Sequence, residues 1–256
     1  MLNVPAKHNE KLRALAEAIN ADEELAQLYR SANINAVDRA GINDHGEVHV
    51  QIVANAALRL LRLLVDAGIQ PSVVNDHGLV ADDAEVLVVL ASCLHDIGIA
   101  VHRDDHERYS LILAYSKARQ LLGQIYPEPA LTALVCDTLH AIIAHDADQR
   151  CLTLEAGVVK VADALDMTQG RSRIPFEAGS VTIHSVSAQA VSSVSIERGD
   201  ERPVRVVIKL SNSAGIFQVD ELLKRKLSNS TLAPYVEVVA SVEGEEERNL
   251  IGVYRL

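Results

Sequence analysis

A short segment of the chain concentrates side chains that bind metal ions. Residues 93–110, CLHDIGIAVHRDDHERYS, contain three histidines and three aspartates. Imidazole and carboxylate ligands suit Mn, Fe, Ni, Co or Zn better than Mg alone. The competing interpretation is a polar helix end with ordinary ion pairs. The choice depends on whether other segments contribute ligands at matching places.

Other candidate ligands lie on apolar segments elsewhere in the chain. His49 falls on one predicted helix, His145 ends another, and Asp163 stands inside the apolar run Val161–Leu165. A buried carboxylate is costly unless a cation pairs with it. A single helical histidine is usually structural, but several ligands at helix ends favour a shared metal site.

Helical periodicity predicts the elements that position these side chains. Apolar residues recur at helical spacing in six segments before residue 173, and Gly68 is expected to cap the second of them. Asp82 or Asp83 is the expected N-cap of the third helix, which ends at His95 and Asp96. The predicted helices span residues 8–30, 46–66, 82–96, 106–124, 128–146 and 154–170.

The pattern changes near residue 175, where alternating β-branched runs begin. Predicted strands cover residues 181–187, 190–197, 203–210 and 234–243, with a helix at 214–227 and a short last strand at 250–256. The predicted fold is therefore mostly α, with a helical domain over residues 1–173 and a small α+β domain over 174–256. We expect the second domain to serve in regulation, as a lid, or in dimerisation.

Bulk composition narrows the class of protein. The 256 residues carry a net charge of −11, which disfavours binding to nucleic acid. The sequence shows neither a membrane span nor a signal peptide, so a cytoplasmic protein without a membrane partner is expected. The three cysteines are irregularly spaced and are expected to be free thiols.

Five motifs in order resemble the HD superfamily of metal-dependent phosphohydrolases. HVQIVA at 49–54, HDIG at 95–98 and VADALD at 161–166 match the core motifs. HERYS and AIIAHD resemble the additional histidine motifs of members with two metal ions. The resemblance covers roughly residues 40–170. One departure is Ile99, where the family often has a lysine that can contact substrate phosphate.

The resemblance implies a site with one or two divalent ions. His49, His95, Asp96 and Asp163 would hold the first ion, and Asp96 would bridge to a second held by His106 and His145. The expected ions are Mn, Fe, Ni, Co or Zn, with Mg as an alternative. His45 is a candidate extra ligand or substrate contact, and His140 a candidate supporting residue.

The resemblance also implies a reaction. Metal-bound hydroxide would attack the phosphorus of a nucleotide or other small phosphoester, with Asp96 at the catalytic centre. Arg171 and Arg173, just beyond the Asp163 helix, are candidates for stabilising charge on the phosphoryl group, although surface ion pairing would also explain them.

Two alternatives remain open at this point. HD-type proteins with a similar histidine-rich set can carry a diiron centre for oxygen-dependent cleavage. A non-catalytic nucleotide-binding regulatory module would fit the Ile99 departure and the appended domain. A homodimer is the expected assembly, on the strength of the appended domain.

Overall fold

The structure is a computed structural model that describes residues 1–168, 187, 189–243 and 253–255. Arg171 and Arg173 lie outside the described residues, as do the predicted domain boundary near residue 175 and all but Ser187 of the predicted strand 181–187.

Residues 1–168 form a helical bundle. A π-helical segment (Ile34–Arg39) follows the second helix, and a 3₁₀ turn (Ile97–Ala100) follows the fifth. The eight α-helices of this range are α1 (Glu10–Ala21), α2 (Glu23–Asn33), α3 (Glu47–Asp66), α4 (Ser72–His77), α5 (Ala81–Leu94), α6 (His106–Leu122), α7 (Ala130–Ala144) and α8 (Leu154–Ala164). The mostly helical fold predicted for this half is confirmed.

Several predicted helix boundaries are wrong. The segment 8–30 is two helices because Asp22 adopts an extended conformation and caps α2, accepting a hydrogen bond from the N–H of Leu25. Helix α5 begins at Ala81, and Asp83 lies inside it, accepting from the N–H of Val80 at 3.0 Å. Helix α8 ends at Ala164 and not at residue 170.

Helix α5 forms the centre of the bundle. Every residue from Asp83 to Leu94 is buried, because the sequence is apolar around almost the whole helix and not along one stripe. Helices α1, α3, α7 and α8 pack against it. Its C-terminal end therefore delivers His95 and Asp96 to the interior of the protein.

Helix α3 is long and apolar enough to cross a membrane by length and composition. Ten of its residues, including His49, are buried against the rest of the protein. This packing accounts for its hydropathy as that of a core helix. The cytoplasmic location stays a prediction.

The C-terminal part is an α+β unit, as predicted. The strands β1 (Val191–Arg198), β2 (Val204–Leu210), β3 (Val236–Val242) and β4 (Val253–Arg255) form a sheet in the order β1-β2-β3-β4. Strand β2 is antiparallel to β1 and parallel to β3, and β4 is antiparallel to β3. Alternate residues of β2 are buried, as expected for a strand with one face on the core.

The crossover between β2 and β3 brings the sheet unit against the bundle. A π-helical segment (Gln218–Lys224) continues directly into α9 (Arg225–Ser228). Helix α9 packs on α8, and α3 contacts β1 and β2. Apolar residues from the bundle, from the sheet and from α9 belong to one buried cluster. Helix α9 therefore lies in packed contact with α8, the helix that carries Asp163.

Candidate metal centre

Two helices place a histidine pair and a carboxylate at one point of the interior. His49 lies in the first turn of α3, and His95 and Asp96 follow the last turn of α5. The Nε2 atoms of His49 and His95 are 3.2 Å apart, and all three residues are buried. Polar side chains concentrated in this way need a compensating ligand or charge.

The Asp96 carboxylate divides its two oxygens between two histidine pairs. Its Oδ2 lies 3.2 Å from Nε2 of His49 and 3.3 Å from Nε2 of His95. Its Oδ1 lies 3.1 Å from Nε2 of His106, at the start of α6, and 3.5 Å from Nε2 of His145, at the end of α7. Asp96 is therefore in the position of a bridging group.

Asp163, in the last turn of α8, faces the first histidine pair. Its Oδ1 lies 3.3 Å from Nε2 of His49 and 3.7 Å from Nε2 of His95. Its Oδ2 contacts the ammonium group of Lys226, which comes from α9. The carboxylate thus connects the histidine cluster to the C-terminal unit.

Each of the four imidazoles has an oxygen acceptor at its other ring nitrogen. The Nδ1 atom of His49 lies 2.7 Å from the Asp166 carboxylate. The other three Nδ1 atoms face backbone carbonyls, at 2.8 Å (His95 to Ser92), 3.1 Å (His106 to Arg103) and 2.5 Å (His145 to Ile142). In His49, His95 and His145, an Nδ1–H that donates to these oxygens leaves the Nε2 lone pair available for a metal ion. Nδ1 of His106 also lies 2.8 Å from Nη1 of Arg103, a nitrogen that can only donate.

The charges in the cluster are strongly coupled. Burial disfavours a charged imidazole, but the Asp96 and Asp163 carboxylates outweigh it and raise the pKa of His95 to about 10. Burial opposes ionisation of the two carboxylates as well, yet their charged and hydrogen-bonding neighbours hold the pKa of each well below its usual range. Burial lowers the pKa of His145.

The donor set fits divalent metal ions. Three overlapping groups each bring their ligand atoms within 4.8 Å of one another. Four imidazole nitrogens and two carboxylates suit the borderline transition metals. The cluster can therefore hold a metal ion. The groups are His49–His95–Asp96, His95–His145–Asp163 and Asp96–His106–His145.

Sequence comparisons agree with this geometry. The HD-domain profile matches residues 49–168. The chain is also 45% identical, over 217 residues, to an uncharacterized protein of Methanocaldococcus jannaschii, with 85% of this chain and 84% of the relative aligned. The chain belongs to the HD-domain family. HD domains are in general metal-dependent phosphohydrolases, and the matched span contains all six candidate ligands of the cluster.

The remaining predicted residues have different places around the HD site. His45 lies at its edge, with Nε2 4.0 Å from Oδ2 of Asp96 and Nδ1 2.7 Å from the carbonyl of Asn43. His140 instead accepts a hydrogen bond from the N–H of Leu152 at 3.0 Å. Ile99 is fully buried in a small apolar cluster.

Two residues at the HD site were not predicted. Asp166 was within reach of sequence analysis, because it lies three residues after Asp163 in the same motif. Lys226 was not, because it lies 63 residues from Asp163 in a different structural unit. Only the packing of α9 on α8 brings this lysine to the cluster.

Proposed function

We propose that this HD protein is a metal-dependent phosphohydrolase that cleaves a nucleotide or another small phosphoester. The observation that carries the proposal is the division of the Asp96 oxygens between two histidine pairs. A carboxylate in this position suits a pair of ions about 4 Å apart. When bound, such ions acidify water and withdraw charge from a phosphoryl group.

The protein side chains hold this site in a fixed geometry. The Nδ1 contacts orient the four imidazoles, and Asp163 is oriented by Lys226 through its second oxygen. Groups held in this way need no rearrangement during the reaction, which lowers its barrier. Asp163 and His45 are 15% and 12% exposed, whereas His95 is fully buried, so substrate approaches from the side of the former two.

The charge distribution favours a small substrate. A protein with a net charge of −11 repels an extended polyanion, whereas a small phosphoester places its charge only at the cations of the site. The substrate class therefore remains nucleotides and similar metabolites.

The test is hydrolysis of a phosphoester panel by the Mn²⁺-loaded protein. The panel contains nucleoside mono-, di- and triphosphates and bis(4-nitrophenyl) phosphate, and phosphate or nitrophenol release is measured. We expect turnover of at least one compound by wild type and by the matched control Asp66→Ala, an exposed carboxylate at the end of α3. Asp96→Ala should reduce the rate at least about a hundredfold.

Other outcomes would replace the proposal. Purified protein that contains iron and consumes oxygen with a substrate would indicate the diiron oxygenase chemistry. Tight nucleotide binding without turnover by any metal-loaded form would indicate a regulatory module.

A further inference from the structure

Lys226 is a cation at the HD site that comes from outside the helical bundle. Its ammonium group contacts Oδ2 of Asp163, and its side chain is 18% exposed. A lysine ammonium has three N–H donors. Asp163 is its one hydrogen-bond partner within the described parts of the chain, so donors remain for a ligand at the mouth of the site.

The position of Lys226 is fixed by the docking of residues 225–231 on the loop 146–153. Asn229 donates to the carbonyl of Ala147 at 2.8 Å and accepts from the N–H of Cys151 at 3.2 Å. The Thr231 hydroxyl donates to the carbonyl of Thr153 at 3.0 Å. These bonds involve backbone atoms of the bundle, so α9 approaches α8 in a single defined register.

Close packing beneath α9 reinforces this arrangement. A Cβ atom on Gly157 of α8 would come within 2.2 Å of the Thr231 hydroxyl oxygen. A larger residue at position 157 would therefore displace the segment that carries Lys226. The absence of a side chain here permits the close approach.

We propose that Lys226 binds the phosphoryl group of the substrate, so that the C-terminal unit completes the active site. This inference rests on the proposed function. Phosphoryl oxygens gain most from a cation beside the reacting centre, and lysine is a common phosphate ligand. The ammonium keeps its contact with Asp163 and directs another N–H towards the substrate.

Nearby alternatives for this role are less suitable. Ile99, directly after the HDIG motif, is apolar and buried. Lys160, one turn before Asp163, is fully buried and donates to the carbonyl of Gln149. Arg103 lies 2.8 Å from Nδ1 of His106. His106 belongs to the second histidine pair, whereas Asp163 faces the first pair. Among the described residues, Lys226 is therefore the cation best placed at the Asp163 side.

The test separates phosphate binding from metal binding. Isothermal titration calorimetry would measure the affinity of Mn²⁺ for the protein and of inorganic phosphate for the Mn²⁺-loaded protein. The variants are Lys226→Met, Lys226→Gln and Lys226→Arg. The control is Lys224→Met, which removes the same charge two residues away, where it pairs with Asp220 on the surface. Thermal unfolding checks the fold of each variant.

Removal of the Lys226 charge should weaken phosphate binding without weakening Mn²⁺ binding. Phosphate affinity should fall about tenfold in Lys226→Met and Lys226→Gln, because a charged hydrogen bond is lost. Mn²⁺ affinity should be unchanged or higher, because a repelling cation has been removed. Lys226→Arg should retain most phosphate affinity, and Lys224→Met should match wild type in both measurements.

Three results would contradict the inference. Phosphate affinity unchanged in folded Lys226→Met or Lys226→Gln would overturn it and leave the proposed hydrolase intact. Parallel losses of phosphate and Mn²⁺ affinity would show that Lys226 only supports Asp163. Failure of the Mn²⁺-loaded wild type to bind phosphate would overturn both the inference and the proposed function.

Discussion

The two halves of the ligand cluster share Asp96 but differ in composition. The first half consists of His49, His95, Asp163 and Oδ2 of Asp96, and the second half of His106, His145 and Oδ1 of Asp96. The first half therefore has an additional carboxylate. It also has the Asp166 carboxylate 2.7 Å from Nδ1 of His49. In the second half the Nδ1 atoms face backbone carbonyls, and Nδ1 of His106 lies closer to the Arg103 guanidinium, at 2.8 Å, than to the Glu107 carboxylate, at 3.4 Å.

This difference predicts unequal metal affinity. More anionic ligands and a more basic imidazole strengthen the binding of a divalent cation. The first half should therefore retain its ion tightly, and the second should exchange its ion more readily. The comparison teaches that two ligand groups that share one carboxylate need not be equal in charge or composition.

The largest effect is expected from Asp96→Ala, which removes the group common to both halves. Wild type should contain about two transition-metal ions per chain after reconstitution, whereas Asp96→Ala should contain close to none. Elemental analysis of protein purified without chelator provides the measurement. The Asp66→Ala variant should behave like wild type, and full metal content in Asp96→Ala would refute the bridging role.

His106→Ala should separate the halves. It removes a ligand from the second half only, so we expect metal content to fall from about two ions to about one, and turnover to fall at least about a hundredfold. The same elemental analysis, with His77→Ala as a control for a histidine paired with Asp137 on the surface, tests this outcome. Loss of both ions in His106→Ala would mean that the halves do not bind independently.

Asp166→Asn should have a smaller effect, confined to the first half. Removing the charge behind His49 makes the imidazole a weaker ligand, and such changes typically cost tenfold to a hundredfold in metal affinity. In a calorimetric titration with Mn²⁺, the affinity of the first, tighter binding event should fall, and the affinity of the second event should stay unchanged. Asp76→Asn, at an exposed position in α4, is the matched control.

The smallest effect is a difference in proton release. In metal-free protein the pKa of His95 is raised to about 10, so this imidazole is protonated at pH 8 and must lose its proton to bind a metal ion. The pKa of His145 is lowered, so this ligand is already neutral. Affinity of the first half should therefore rise with pH up to about 10, whereas His145 adds no such dependence.

Calorimetric titrations in buffers of different ionisation enthalpy measure how many protons the protein releases when each metal ion binds. Proton release on filling the first position supports the comparison. Proton release only on filling the second position would contradict the comparison. The same shift predicts that metal-free protein loses stability as the pH rises towards about 10, since protonated His95 stabilises the folded state.

Sequence alone identified the elements that carry the ligands but not all of their limits. Apolar periodicity predicted α3 to within one residue, because the helix packs one continuous face on the core. The break at Asp22 was missed because a side-chain cap there overrides a helical pattern that continues on both sides. The early end of α8 was missed because the pattern continues beyond Ala164, whereas the chain turns to bring Asp166 beneath His49.

The candidate site, like the fold, was predicted only in part from the sequence. Motif order named the six side chains that the structure brings together, because each stands at a helix end or on an apolar helix. Contacts between distant segments, such as Lys226 with Asp163, depend on how α9 docks on the bundle. No local pattern in the sequence records this docking.

The most direct test of the asymmetric, bridged site is anomalous diffraction from crystals grown with Mn²⁺. We predict two anomalous peaks about 3.5–4 Å apart with Asp96 between them, and lower occupancy at the peak beside His106 and His145. A single peak, or two equal peaks that Asp96 does not join, would contradict this account.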